Sequence, residues 1–412
     1  MEKLWNKNFT IITVGAFVSM MGRSITAYAF GLLVYEGTGS ELLYALTLVA
    51  NQLPSFLLPV FIGSFLDRFS RRKAIYILEY ITCFLMMVAA GFIFMGFDNP
   101  YLVLCFVFLA GSVGCCYQIA YESFYPCLIT KGNYRQAYSV SSLMGPLATT
   151  VMLPVAGLVY DAVGVIPLLL FVGVAHGVAA TFDMQINAIE THVKEVKYKG
   201  SYKWKDFMLQ TKEGIDYLMS EKSLLFVALF FGVITCTGQL NSTMRLPFVT
   251  GVKYLNQDAA VLSFVLTFSS LGRILGASIQ YFISYPVKRR YQISITVYAV
   301  ITILEALFFY GNVPLMCLNL FVAGLFSVTS YNIRISATNS YVPDDKRGRF
   351  NAVFVMMTAI GGVFGNLISG VLMTYIAIPH ITLGVIVVLF SGLYFILIRN
   401  KETVKKLYNR EV

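Results

Sequence analysis

Four arginines, Arg23, Arg245, Arg273 and Arg334, stand inside long apolar runs, and Glu305 lies near the middle of another. An ionisable side chain at the centre of a bilayer costs about 2.5–3.5 kcal/mol on insertion scales. Such a group needs a partner, a wet cavity or a task. Arg23 lies about 22 Å along its run, counted at 1.5 Å per residue from the inner end. That depth makes it a candidate for contact with substrate or gate, or a member of a structural ion pair. Arg273 and Glu305 are deep enough to pair with each other. Arg334 is suited to a gate or to snorkelling, and Arg245 to snorkelling from a run's outer end. A carboxyl or imidazole whose charge changes with access can carry a proton, so Glu305 by depth and Glu122 near the end of its run are the proton-coupling candidates. His176 reads as a packing residue and Asp183 as a cap or pair. His176, His192 and His380 are scattered, without Ser/His or His/Asp partners in sequence, so an embedded acyltransferase is disfavoured. No Walker-type phosphate loop is present, which argues against ATP as the direct drive. The seven cysteines show no CxxC pair, so neither metal nor disulfide framework is expected, and no cofactor is called for.

The elements that position these groups follow from composition. Of 412 residues, 57% are hydrophobic and only 13% charged, about half the charge of a soluble domain. Apolar runs of 18 or more residues recur from end to end, each long enough to cross roughly 30 Å of hydrocarbon as a helix. The expectation is an all-α membrane protein with twelve spans, near 9–33, 41–66, 74–96, 101–125, 137–160, 165–186, 223–247, 258–284, 291–310, 314–338, 350–375 and 380–398. Residues 1–186 form one six-helix bundle and 223–399 another. Between them, 187–222 is a linker, and 400–412 is a basic tail. Trp204, Phe207, Met208, Ile215, Leu218 and Met219 give the linker the spacing of an amphipathic helix on the inner membrane surface. Most of the 31 Lys and Arg residues fall in alternate loops, which puts both termini in the cytoplasm. This alternation explains the net charge of +10 without nucleic acid.

One gap concentrates charge. In "GSFLDRFSRRK", Gly63 allows close helix approach, and Asp67 can accept from a helix N-terminus or pair with Arg68, Arg71 or Arg72. A membrane anchor needs the bases but neither the glycine nor the acid, so a latch between halves competes with the anchor. The halves also repeat: "YPCLITKGNYRQAYSV" and "YVPDDKRGRFNAVFV" both run Tyr, Pro, basic turn, Arg, Ala. The helices that follow carry small residues at close-packing positions, Pro154 and Gly157 in one, Gly361, Gly365 and Gly370 in the other. Duplicated six-span halves fit a transporter.

At "GSFLDRFSRRK" the chain resembles the loop 2–3 motif of the major facilitator superfamily, G-x-L-a-D-r-x-G-r-k, with Ser70 in place of the second Gly. "SMMGRSIT", "YEGTGSELLYAL", "LPSFLLPVFIGSFLDR" and "VPDDKRGRFNAV" resemble its 12-span drug-efflux branch, which includes the macrolide exporters. The resemblance implies the major facilitator fold, two pseudosymmetric six-helix bundles around a central cavity, working by alternating access. Spans 1, 4, 7 and 10 would line the cavity, and spans 3, 6, 9 and 12 would face lipid. Asp67 would latch onto the start of span 11, with Glu122 in the same cluster. The departures are Leu153, where antiporters carry Gly before Pro154, and Arg23, where the branch carries an acid or neutral polar residue. Cavity candidates are then Arg23, Tyr28, Tyr117, Gln118, Tyr121, Gln239, Asn241, Tyr331 and Asn332. Gate candidates are Gly63, Asp67, Arg68, Arg71, Arg72, Glu122 and Arg334. The leading expectation is a monomeric, proton-coupled multidrug-type exporter of small amphipathic compounds in a lipid cell membrane. The alternative is an exporter or flippase of an anionic metabolite or lipid that uses the intramembrane arginines.

Overall fold

The computed structural model describes residues 4–59, 69–130, 133–187, 204–282 and 285–409. Every regular element among them is helical. Six helices precede the linker: α1 (Lys7–Thr38), α2 (Glu41–Leu57), α3 (Arg71–Phe94), α4 (Pro100–Phe124), α5 (Tyr134–Val163) and α6 (Val165–Asp183). The linker carries α7 (Trp204–Ser220). Then follow α8 (Lys222–Thr250), α9 (Ala259–Phe282), α10 (Arg290–Leu307), α11 (Val313–Tyr341), α12 (Asp344–Tyr375), α13 (Ile378–Gly392) and α14 (Lys401–Tyr408). Among the described residues eleven helices are long and apolar enough to cross a membrane. The twelfth expected span, 41–66, is described over Glu41–Leu57; the rest of it, with Gly63, Asp67 and Arg68, lies outside the described residues.

Helix starts follow from local chemistry. Asn6, Ser40, Asn99 and Asn312 accept backbone N–H groups at the starts of α1, α2, α4 and α11, satisfying donors that have no intrahelical partner. Ser70 does the same for Lys73 N–H at 3.2 Å. The serine that replaces the motif's glycine is therefore the cap of α3.

The chain divides into two compact units, residues 1–202 with 258–264, and 203–257 with 265–412. In the first, α1 packs on α5 and α6, α3 lies against α4 and α6, and α2 lies against α4. In the second, α8 packs on α12 and α13, and α10 on α11. Lipid removes most of the hydrophobic drive between helices, so close backbone approach at small residues must supply contact. A Cβ on Gly111 of α4 would overlap the Asn51 carbonyl of α2. Gly272 of α9 meets the Phe321 carbonyl of α11, and Gly324 of α11 meets that of Ser269. Spans 2 and 4 thus touch as spans 8 and 10 do, which carries the internal repeat beyond the loop motif. Gly361 and Gly365 of α12 face the Gly232 and Cys236 carbonyls of α8.

Helix α7 groups with the second unit and packs on α12 and α8. Leu218 is buried in that unit's core, whereas Ile215 and Met219 are exposed. Helix α14 falls in the stretch read as a tail. Val404, Leu407 and Tyr408 are buried against α8, α10 and α11, and the Tyr408 and Tyr298 hydroxyls lie 3.0 Å apart. Three apolar residues at i, i+3 and i+4 give this basic segment an inward face.

Candidate functional site

Arg23 belongs to a cavity of about 220 Å³ inside the first unit, lined also by Ser19, Asn51, Tyr117, Gln118 and His176. Its Nη1 donates to Gln118 Oε1 at 3.1 Å. The guanidinium carbon lies 5.7 Å from the Tyr117 ring centre, a cation–π contact that supplements the hydrogen bond. One helical turn on, Gln118 Nε2 donates to Glu122 Oε1 at 2.5 Å. The amide thus relays a carboxylate to the guanidinium without direct contact. Among the described residues no carboxylate lies within ion-pair distance of Arg23. Its fork retains N–H groups facing the cavity, a geometry that recognises carboxylate, phosphate, sulfate or carbonyl oxygen.

Beside Arg23 sits a group that the sequence reading missed. Glu79 of α3 is 1% exposed. Ser19 Oγ of α1 donates to Glu79 Oε1, and His176 Nδ1 of α6 lies 3.1 Å from Glu79 Oε2. His176 is not simply a packing residue: it is 4% exposed, hydrogen-bonded and on the cavity wall. Asp183, expected to cap or pair, is fully buried, and neither carboxylate oxygen has a hydrogen-bond partner. The available signal was depth. Glu79 lies about two turns beyond the basic cluster at 71–73, far enough into the run to require a partner.

The second unit arranges its charges differently. Glu305 does not pair with Arg273; it takes Arg245, the residue expected to snorkel. Arg245 also lies over the Phe308 ring at 5.4 Å, and Arg273 is within electrostatic reach of both partners. Arg334 is enclosed by aromatic faces, 4.6 Å from the Phe354 centroid, 5.0 Å from Phe231 and 5.3 Å from Tyr331. Asn332 Nδ2 donates to Gln280 Oε1, whose Nε2 donates to Thr329. Asn241 is buried with its Oδ1 unpartnered, and Gln239 is half-buried. No hydrogen bond joins Gln239 and Asn241 to Tyr331 and Asn332 among the described residues.

The remaining first-unit candidates make contacts within that unit. Tyr121 is 3% exposed and stacks between Tyr117 and Tyr125 in the core. Tyr28 donates to the Ala259 carbonyl, and a Cβ on Gly157 would overlap Ser263; both partners fall in the first unit. Pro154 is accommodated inside α5. Arg71 Nη1 donates to Ser123 O at 3.0 Å and Arg72 Nη1 to Ile186 O at 2.5 Å. These carbonyls lie at the ends of α4 and α6, where the helix dipole favours a cation. Two of the motif arginines thus tie together helix ends within one unit.

The family described as transmembrane secretion effector matches residues 2–408. The uncharacterized MFS-type transporter YkuC of Bacillus subtilis (strain 168) is 22% identical over 307 residues, covering 72% of this chain and 70% of that protein. The nucleoside transporter NupG has a similar solved structure, with TM-score 0.70 at 14% identity over 93% of this chain and 98% of that one. A bacterial homologue of the iron transporter ferroportin, in an inward-facing state, aligns with TM-score 0.65 at 11% identity over 99% of this chain and 100% of its own. These likenesses show the fold.

Proposed function

We propose, from the premise that the chain belongs to the transmembrane secretion effector family of major facilitator transporters, that it is a secondary active exporter of small amphipathic compounds. It works by alternating access in the cell membrane as a monomer, with both termini cytoplasmic and with protons as the coupling ion. Asp67, Gly63 and Arg68 act in the gate. The observation that carries this reading is Arg23. A guanidinium held by Gln118 and Tyr117 on the cavity wall gives an acceptor group of an amphipathic solute one fixed donor, and a few polar hooks in a largely apolar site fix orientation.

A second reading, export or flipping of an anionic metabolite or lipid, is favoured by one observation: Arg23 receives its carboxylate only through Gln118. The test is flux in proteoliposomes under an imposed pH gradient, across cationic macrolide-type drugs and anionic amphiphiles. A hydrogen bond to a charged group contributes about 1.5–3 kcal/mol, so Arg23→Gln is expected to raise KM for transported solutes roughly 10- to 150-fold. Unchanged flux of every solute in Arg23→Gln would remove the cavity from the pathway.

A further inference from the structure

The groups that line up along α1 carry a second assignment, which rests on the transporter reading above. Residues 15, 19 and 22 share one face of α1, and each meets one ionisable group. A Cβ on Gly15 would lie 3.0 Å from Asp183 Oδ1. Ser19 donates to Glu79. A Cβ on Gly22 would lie 2.7 Å from His176 Nε2. His176 and Asp183, seven residues apart, share a face of α6, about 10 Å along its axis. We infer that Asp183, Glu79 and His176 form a proton-binding ladder that leads from the N-terminal end of α1 to the Arg23 cavity, and that this ladder, not Glu305 or Glu122, carries the coupling proton.

The chemistry follows from the contacts. Glu79 is held from two sides, by Ser19 on Oε1 and His176 on Oε2. With one proton bound, the pair is imidazolium beside carboxylate, net zero. With that proton released, it is neutral imidazole beside carboxylate, net −1. Since Nδ1 keeps its contact with Glu79, the exchanging proton sits on Nε2, the nitrogen next to Gly22. Asp183 provides the lower position. A carboxylate without donor or solvent is costly to bury, and a bound proton removes the charge.

Other ionisable groups face the ladder from its neighbours. Arg23 shares the cavity from α1, and Tyr117 of α4 is within electrostatic reach of Glu79 and Asp183. Glu122 lies beyond Gln118. Cys83, on α3 one turn from Glu79, faces Gly177 of α6. From α2 and α5, no hydrogen bond or ion pair reaches the three ladder groups among the described residues. Glu305 is already engaged by Arg245. A one-charge change beside Arg23 sets the sign of coupling: a cationic solute competes with the proton, and an anionic solute binds together with it.

The experiment needs no solute. Purified protein is reconstituted on a solid-supported membrane, and the charge displaced by a pH step is recorded in buffer alone. The wild type is expected to give a transient displacement. Glu79→Gln and His176→Asn are expected to reduce it at least fivefold, while Glu305→Gln, whose carboxyl is engaged by Arg245, keeps it. As a readout that needs no variant to fold, dicyclohexylcarbodiimide, which adds to a protonated carboxyl, is expected to modify the Asp183 peptide of the wild-type protein, less so as pH rises. Wild-type displacement in a monodisperse Glu79→Gln protein overturns the ladder, as does loss of displacement in Glu305→Gln alone or carbodiimide labelling that spares the Asp183 peptide. Export of a probe by Glu79→Gln at the wild-type rate, driven by a pH gradient, also overturns the ladder and leaves the exporter standing. A pH-step charge that depends on Glu79, in a protein that exports no probe, does the reverse.

Discussion

The Arg245–Glu305 pair yields a prediction that separates a structural acid from a working one. The two side chains retain 12% and 23% exposure. Breaking a fully buried pair costs about 3–5 kcal/mol. Polar contacts between membrane helices measured by double-mutant cycles are smaller, about 0.6 kcal/mol on average. With partial exposure and a charge-assisted contact, the expected coupling is about 1.5–3 kcal/mol. In Glu305→Gln, Arg245 keeps its place over Phe308, which retains about 1 kcal/mol. Glu305→Gln and Arg245→Gln should each lower the midpoint of thermal unfolding by roughly 4–8 °C, taking about 2–4 °C per kcal/mol for a unit of this size. The double variant should fall well short of the sum. Circular dichroism of detergent-solubilised protein measures all four corners of the cycle. A coupling under about 0.5 kcal/mol, the level at which independent sites add, would refute the pairing argument. A stabilised Glu305→Gln would refute it as well.

Two further outcomes follow from packing. Gly365→Leu places a side chain on the Cys236 carbonyl and should destabilise by about 1–3 kcal/mol or more; Gly91→Ala, with open space at its Cβ, should be neutral or gain up to about 1 kcal/mol, so equal losses in thermal unfolding would sink the close-approach reading. Tyr408→Phe removes the contact with Tyr298 and should cost about 0.5–1.5 kcal/mol. Burial holds the Tyr408 phenol well above its ordinary range, so the hydroxyl's contribution is complete below the unfolded phenol value of about 10 and fades as pH rises above it. Unfolding midpoints of both proteins at pH 7 and pH 11 check the sign, and a difference that grows with pH would contradict it.

Length and hydropathy alone were enough for the helices, because a bilayer accepts few other backbones and the apolar runs are long. The close approaches at Gly157, Gly361 and Gly365 were also legible, since small residues mark places where helices can touch. Arg23, Tyr117, Gln118 and Glu122 could be nominated because each lies on span 1 or span 4, and the structure joins Arg23, Gln118 and Glu122 by hydrogen bonds with the Tyr117 ring against the guanidinium. Partner choice was not legible. Depth pointed Glu305 to Arg273 and placed Arg245 at a run's outer end, yet the faces the helices present decided for Arg245. Depth along a run is a one-dimensional quantity, whereas pairing depends on the angle at which each helix presents its face. For the same reason Glu79 and His176, on spans expected to face lipid, could not be joined on paper. Only the packing of α6 on α1 and of α3 on α6 turned them inward, setting Glu79 beside Ser19 and His176 beside Gly22.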